Sequence, residues 1–65
     1  MNVGERIREK RNSLGITQSE LAERAVTSRG NINYIEAGIR SPSLELLGRI
    51  AAALDTTAVE LIKAK

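Results

Sequence analysis

An all-α fold of five short helices is predicted by three features of this 65-residue chain. Apolar residues recur at three- and four-residue spacings, the period of a helix face and not the alternation of a half-buried strand. The 42% hydrophobic fraction consists almost wholly of Ala, Leu, Ile and Val, which suits helix packed against helix. Capping boxes, in which a Thr hydroxyl and a Glu carboxylate three residues on satisfy free amides at a helix start, stand at Thr17-Gln18-Ser19-Glu20 and Thr57-Ala58-Val59-Glu60.

The first helix runs roughly from Val3 to Leu14, with Val3, Ile7 and Leu14 on one face. Arg11 falls on that stripe, four residues after Ile7, an unusual place for a charge. Gly15 stops the helix and Ile16 serves as a hydrophobic staple beside the Thr17 cap. Helix 2 continues to about Ala25 on a stripe of Leu21, Ala22 and Ala25, and Val26-Thr27 makes a break. Ser28 caps helix 3, whose Ile32 and Ile35 face inward before Gly38 ends it. Two short helices joined by a tight turn are a helix-turn-helix candidate.

After the connector Ile39-Arg40-Ser41-Pro42, the residues Leu44, Leu47, Ile50, Ala51 and Leu54 give the stripe of helix 4, widened by Leu46 and Ala53. Asp55-Thr56 breaks the chain again. In the short fifth helix Val59 and Ile62, with Leu61 beside them, are expected on the buried side. No repeat, linker or low-complexity segment interrupts the pattern, so residues 1–65 read as one domain.

A chain of this size is near the lower limit for folding unaided. It contains no Cys and no His, so neither a disulfide nor the usual structural zinc site can staple it. Stability then rests on an aliphatic core, with a partner subunit as the available reinforcement. The same absences, and carboxylates scattered over charged helix faces, leave no nucleophile–base pair or metal cluster. An enzymatic role is not expected, and no cofactor or metal is implied. Met1 to Arg11 is too charged for a signal peptide, and the run from Ile50 to Leu54 is far too short to span a membrane.

The net charge of +2 is mild. Arg6, Arg8, Lys10 and Arg11 crowd helix 1, and Arg24, Arg29 and Arg40 lie in or beside the central unit. Glu5, Glu9, Glu20 and Glu23 are interleaved among them, so an ordinary solvated surface accounts for most of these charges. Helix 3 is more informative. At 100° per residue, Gly30, Asn33, Tyr34 and Ala37 point away from Ile32 and Ile35, with Arg29 and Asn31 on opposite flanks. Gly30 costs about 1 kcal/mol relative to Ala inside a helix, which calls for a compensating reason such as close approach to another surface.

Taken together, Gln18, Leu21, Ala22, Ser28-Arg29, Ile32, Ile35-Glu36 and Gly38 resemble the Cro/phage-repressor-type (XRE-like) helix-turn-helix family. Pro42-Ser43-Leu44-Glu45, the segment from Ile50 to Leu54 and Glu60-Leu61 extend the likeness over nearly the whole chain without gaps. The resemblance implies a compact five-helix domain that binds duplex DNA with helix 3 in the major groove. It also implies that Arg11 and Glu36, the latter four residues after Ile32 in apolar register, meet as a partly buried salt bridge locking helix 1 onto helix 3. Family members usually carry Gly where this chain has Val26, a hydrophobic residue where it has Thr27, and often Gly where it has Asp55. Because a β-branched residue is disfavoured at positive φ, the turn at Val26 is expected to be rearranged or strained.

On this reading Arg29, Gly30, Asn33 and Tyr34 face bases. Arg29 matches a position from which the family reads base edges, and Arg can grip guanine O6 and N7 together. Gln18, at a helix start that favours anions, is joined by Ser28, Asn31, Arg40 and Ser41 as phosphate contacts that set docking without reading sequence. A single module buries only roughly 600–1,000 Å² on DNA, whereas two read half-sites about 34 Å apart. A homodimer on a two-fold symmetric operator is therefore expected, joined through Leu46, Thr56, Ala58 and Leu61 on an exposed part of helices 4 and 5. The function implied is that of a cytoplasmic, nucleoid-associated transcriptional regulator, most simply a repressor or controller. The alternatives are a protein-interaction module such as an antitoxin-like partner, which usually needs an additional segment, and a DNA-binding module of a longer regulator.

Overall fold

A computed structural model describes residues 2–63, and their order is α1 (Val3–Leu14), α2 (Gln18–Arg24), α3 (Arg29–Glu36), α4 (Leu44–Ala53) and α5 (Ala58–Ile62), with no strand among the described residues. Each helix begins on a residue whose side chain accepts the amide three positions on: Asn2, Thr17, Ser28, Ser43 and Thr57. At Thr17 the box is reciprocal, and the Thr17 amide holds the Glu20 carboxyl below its usual range. Asn2 and Glu5 form a second reciprocal box, which the sequence reading did not anticipate. At Thr57 only half of the expected box forms: Thr57 accepts from the Glu60 amide, while the Glu60 carboxylate lies 4.0 Å from Lys63 Nζ.

The first four helices end alike. In each, a residue at positive φ lets two successive amides reach back to the last turn, as in Thr27 N to Ala22 O (2.9 Å) and Ile39 N to Tyr34 O (2.9 Å). The residues at positive φ are Gly15, Val26, Gly38 and Asp55. Glycine adopts this conformation freely, and Asp tolerates it. Val26, at φ 57° and largely exposed, has no such excuse. The expected strain at this turn is present, and the turn keeps its hydrogen bonds in spite of it.

Ile7, Leu21, Ile32, Ile35, Ile50 and Leu54 are fully buried at the centre, and the small side chains of Ala22, Ala25 and Ala51 are buried in the same cluster. The α3 helix packs on α1 and α2, α2 packs on α4, and α5 closes the far side against α1 and α4. Gly4 is buried in α1 because a Cβ there would collide with the Ile35 carbonyl oxygen. The radius of gyration, 10.1 Å, is close to the roughly 10.6 Å of a packed chain this long.

Several apolar assignments are corrected. Leu44 is 78% exposed and Leu46 is buried. The buried arc of α4 is centred near Ile50 and Leu54, and at 100° per residue Leu46 lies closer to that centre than Leu44 does. In α5, Leu61 is buried while Val59 and Ile62 are exposed, since five residues barely exceed one turn and give periodicity little leverage. Leu14, in the last position of α1, is 45% exposed. Leu46 and Leu61 therefore belong to the core and not to an exposed dimer face, and Thr56 and Ala58 are half-buried.

Candidate nucleic-acid interface

The frame of the site is a polar cluster inside the apolar core. Glu36 is the one buried charged residue among those described, and Arg11 grips it at both oxygens, Nε to Oε2 at 2.7 Å and Nη2 to Oε1 at 3.0 Å. The third arm of the guanidinium donates to the Ile16 carbonyl at 3.0 Å. Hydrogen bonding to Glu36 raises the Arg11 pKa against the opposing effect of burial, so the guanidinium keeps its charge inside the cluster. Gln18 adds a further bond, Nε2 to Glu36 Oε1 at 3.1 Å. One carboxylate on α3 thus collects donors from α1 and from the start of α2, fixing both helices against the outer helix.

On the outer side of α3, Gly30, Asn33 and Tyr34 are exposed, and Arg29 and Asn31 flank them as their spacing requires. Space for a Cβ at Gly30 is open, with nothing within 4 Å. Within the protein, then, nothing requires glycine at this position. Arg29 borders a shallow hollow shared with Arg11, Gly15, Thr17, Gln18 and Ser19, between the end of α1 and the start of α2. Ser28 accepts the Asn31 amide at 3.0 Å, which leaves its hydroxyl hydrogen available to an acceptor outside.

Arg40 stands on the opposite flank. Its Nη1 donates to Asn31 Oδ1 at 2.9 Å, and its Cζ lies 5.2 Å from the centroid of the Tyr34 ring. Asn31 Nδ2 donates in turn to Thr27 Oγ1 at 2.9 Å. Ser41 is exposed in the loop that follows. Of the residues assigned to base reading and to phosphate holding, Arg29 and Gln18 thus border one hollow. Ser28, Asn31, Tyr34 and Arg40 are linked along the other flank of α3, while Thr56 and Ala58 lie at the α4–α5 junction.

Three parts of this arrangement had no signal in the sequence. Gln18 bonds to Glu36 as well as reaching the surface. Arg49 donates Nε to the Ala25 carbonyl at 2.9 Å, tying α4 to the end of α2 just before the strained turn. Asn31 spends both polar atoms of its side chain on protein partners. Each depends on residues brought together only by the packed fold.

A helix-turn-helix family model matches residues 7–61. An uncharacterized HTH-type transcriptional regulator of Methanothermobacter thermautotrophicus is 52% identical over 54 residues, covering 83% of this chain and 78% of that protein. The HTH-type transcriptional regulator SinR of Bacillus subtilis is 33% identical over 64 residues, 97% of this chain, which spans only 58% of SinR. Among solved structures, the P22 c2 repressor in complex with a synthetic operator superposes with a TM-score of 0.93 at 31% identity, covering 100% of this chain and 98% of that one.

Proposed function

The chain belongs to the Cro/phage-repressor-type helix-turn-helix family, and from that premise we propose that it regulates transcription by binding duplex DNA sequence-specifically through α3. The observation that carries this is the outer face of α3. Gly30, Asn33 and Tyr34 are exposed between Arg29 and Arg40, and nothing in the protein crowds Gly30. A gap in side-chain cover flanked by two arginines suits close approach to a groove walled by phosphates.

In this reading Arg29, Asn33 and Tyr34 contact base edges while Gly30 lets the backbone come near. Gln18, Ser28, Arg40 and Ser41 hold phosphates, and Gln18 does so with the amide hydrogen that Glu36 does not use. The Arg11–Glu36 cluster orients the helix and touches no DNA. Residues 1–65 act as one DNA-binding domain, working on cytoplasmic DNA with no catalytic role. No helix among the described residues is long and apolar enough to cross a membrane.

Two chains pairing on a two-fold site complete the proposal. With Leu46 and Leu61 committed to the core, the pairing surface is drawn from exposed Val59 and Ile62 with half-buried Thr56 and Ala58. Selection from random duplexes followed by sequencing tests the function. Enrichment of an inverted repeat with half-sites about one helical turn apart is expected, and a pool that stays random contradicts the reading.

A further inference from the structure

The flank of α3 that carries Arg40 holds more contacts than a solvated surface arginine requires. Arg40 belongs to the connector after α3, yet both its backbone and its side chain return to that helix. Its amide approaches the Tyr34 carbonyl at 3.3 Å, its guanidinium donates to Asn31 Oδ1 at 2.9 Å, and its Cζ lies over the Tyr34 ring at 5.2 Å. Asn31 is held from the other side, because its Nδ2 donates to Thr27 Oγ1 in the turn before the helix. The chain Thr27–Asn31–Arg40 therefore links the two loops that bracket α3 across its surface. The Asn31 side chain is held at both polar atoms and keeps one amide hydrogen, whereas Arg40 uses one of its five N–H donors on Asn31 and carries the charge.

We propose that Thr27, Asn31 and Tyr34 form a clamp that presents Arg40 to DNA already ordered, with Asn31 acting as a positioning residue and not as a phosphate ligand. This rests on the DNA-binding reading above and deepens it. A free arginine loses rotamer freedom when it is immobilised at an interface, and pre-ordering in the free protein removes part of that cost. The aromatic face and the Asn31 carbonyl hold the plane of the guanidinium. Its remaining donors stay available for a phosphate oxygen.

The test is a double-mutant cycle on DNA affinity with Asn31→Ala, Arg40→Ala and the combined variant, at two salt concentrations and against the selected duplex and a scrambled one. Arg40→Ala is expected to weaken binding about tenfold, the scale of a lost charged hydrogen bond, and to lower the salt slope by about one per half-site. Asn31→Ala should weaken it about threefold, within the range for ordering one side chain, and leave the salt slope unchanged, since Arg40 still reaches phosphate. In the Arg40→Ala background, Asn31→Ala should have no further effect. Losses that multiply, or a salt slope reduced by Asn31→Ala alone, overturn the clamp while leaving DNA binding intact. Duplex binding no better than nonspecific in the unaltered protein removes the functional reading and the clamp's purpose with it. In the free protein, Tyr34 ring-proton resonances should shift in both single variants, with thermal unfolding confirming that each is folded. Unchanged resonances in Arg40→Ala also overturn the proposal.

Discussion

Gln18 and Glu36 meet at 3.1 Å, amide to carboxylate, beneath the surface proposed to face DNA. The same Glu36 oxygen receives Arg11 Nη2 at 3.0 Å. A residue at the start of the helix-turn-helix is thereby coupled to the salt bridge that sets the angle of the outer helix. Glu36 is 2% exposed and Arg11 12%, so the cluster is desolvated enough for loss of one partner to matter.

Arg11→Met keeps the aliphatic stem but leaves Glu36 with Gln18 alone. A stranded buried charge costs about 3–5 kcal/mol, much of the roughly 3–10 kcal/mol expected for a domain of this length. The single variant should be clearly destabilised, with a lowered melting temperature, and adding Glu36→Leu should restore most of the loss. A thermal double-mutant cycle checks this, and additive effects would mean the bridge contributes no coupling.

Val26→Gly should stabilise the domain. The left-handed backbone costs an ordinary residue about 1–2 kcal/mol, and glycine's greater freedom in the unfolded chain returns about 0.4–1 kcal/mol of that. A net gain of about 1 kcal/mol, raising the melting temperature by about 4–8 °C, is expected with DNA affinity unchanged. No gain in a thermal melt would mean the turn carries no strain.

Helix propensity and packing make opposite forecasts for Gly4. Alanine is favoured over glycine within a helix by about 1 kcal/mol, but here its Cβ meets the backbone oxygen of Ile35. Overpacking typically costs about 1–3 kcal/mol, so Gly4→Ala should destabilise the domain. Gly48→Ala, in α4 with nothing within 4 Å, should stabilise it by about 1 kcal/mol. Chemical denaturation of both variants provides the comparison, and equal signs would refute the close approach of α1 to α3.

Much of this organisation was legible before folding. Thr17 and Glu20 mark their helix start through local chemistry alone, Ile32 and Ile35 show the inward face of α3, and Gly38 ends it because only local backbone geometry is involved. Even the difficulty at Val26 could be anticipated, since positive φ is a property of one residue. Gly4 and Arg49 could not be read, because their reasons lie on distant backbone, the Ile35 and Ala25 carbonyls. Leu44 and Leu46 were exchanged for a related reason: a broad apolar stripe does not say which edge a neighbouring helix covers. Asn31 looked like a free flank residue because its partners, Thr27 and Arg40, come from loops whose path no periodicity describes.

Dimerisation makes a separate prediction. Val59 and Ile62 are 66% and 57% exposed at the end of the chain opposite in sequence to the first capping box. Introducing charge there, as Val59→Glu with Ile62→Glu, should leave the fold intact and convert a dimer to a monomer. Sedimentation at micromolar concentration, with and without the selected duplex, reads the outcome. A wild-type monomer in both states contradicts the pairing.

The central claim is that α3 reads bases, and Arg29 tests it most directly. Wild type and Arg29→Ala are titrated against the selected duplex, single-base variants of it and a scrambled duplex at fixed salt, with Tyr34 emission as the signal. Tyr34 is the chain's only Tyr, and Trp is absent. Arg29→Ala should cost about 1–3 kcal/mol on the selected duplex and erase discrimination at one base position, with little change on the scrambled one. An equal loss on every duplex would show that Arg29 holds backbone charge and reads no base.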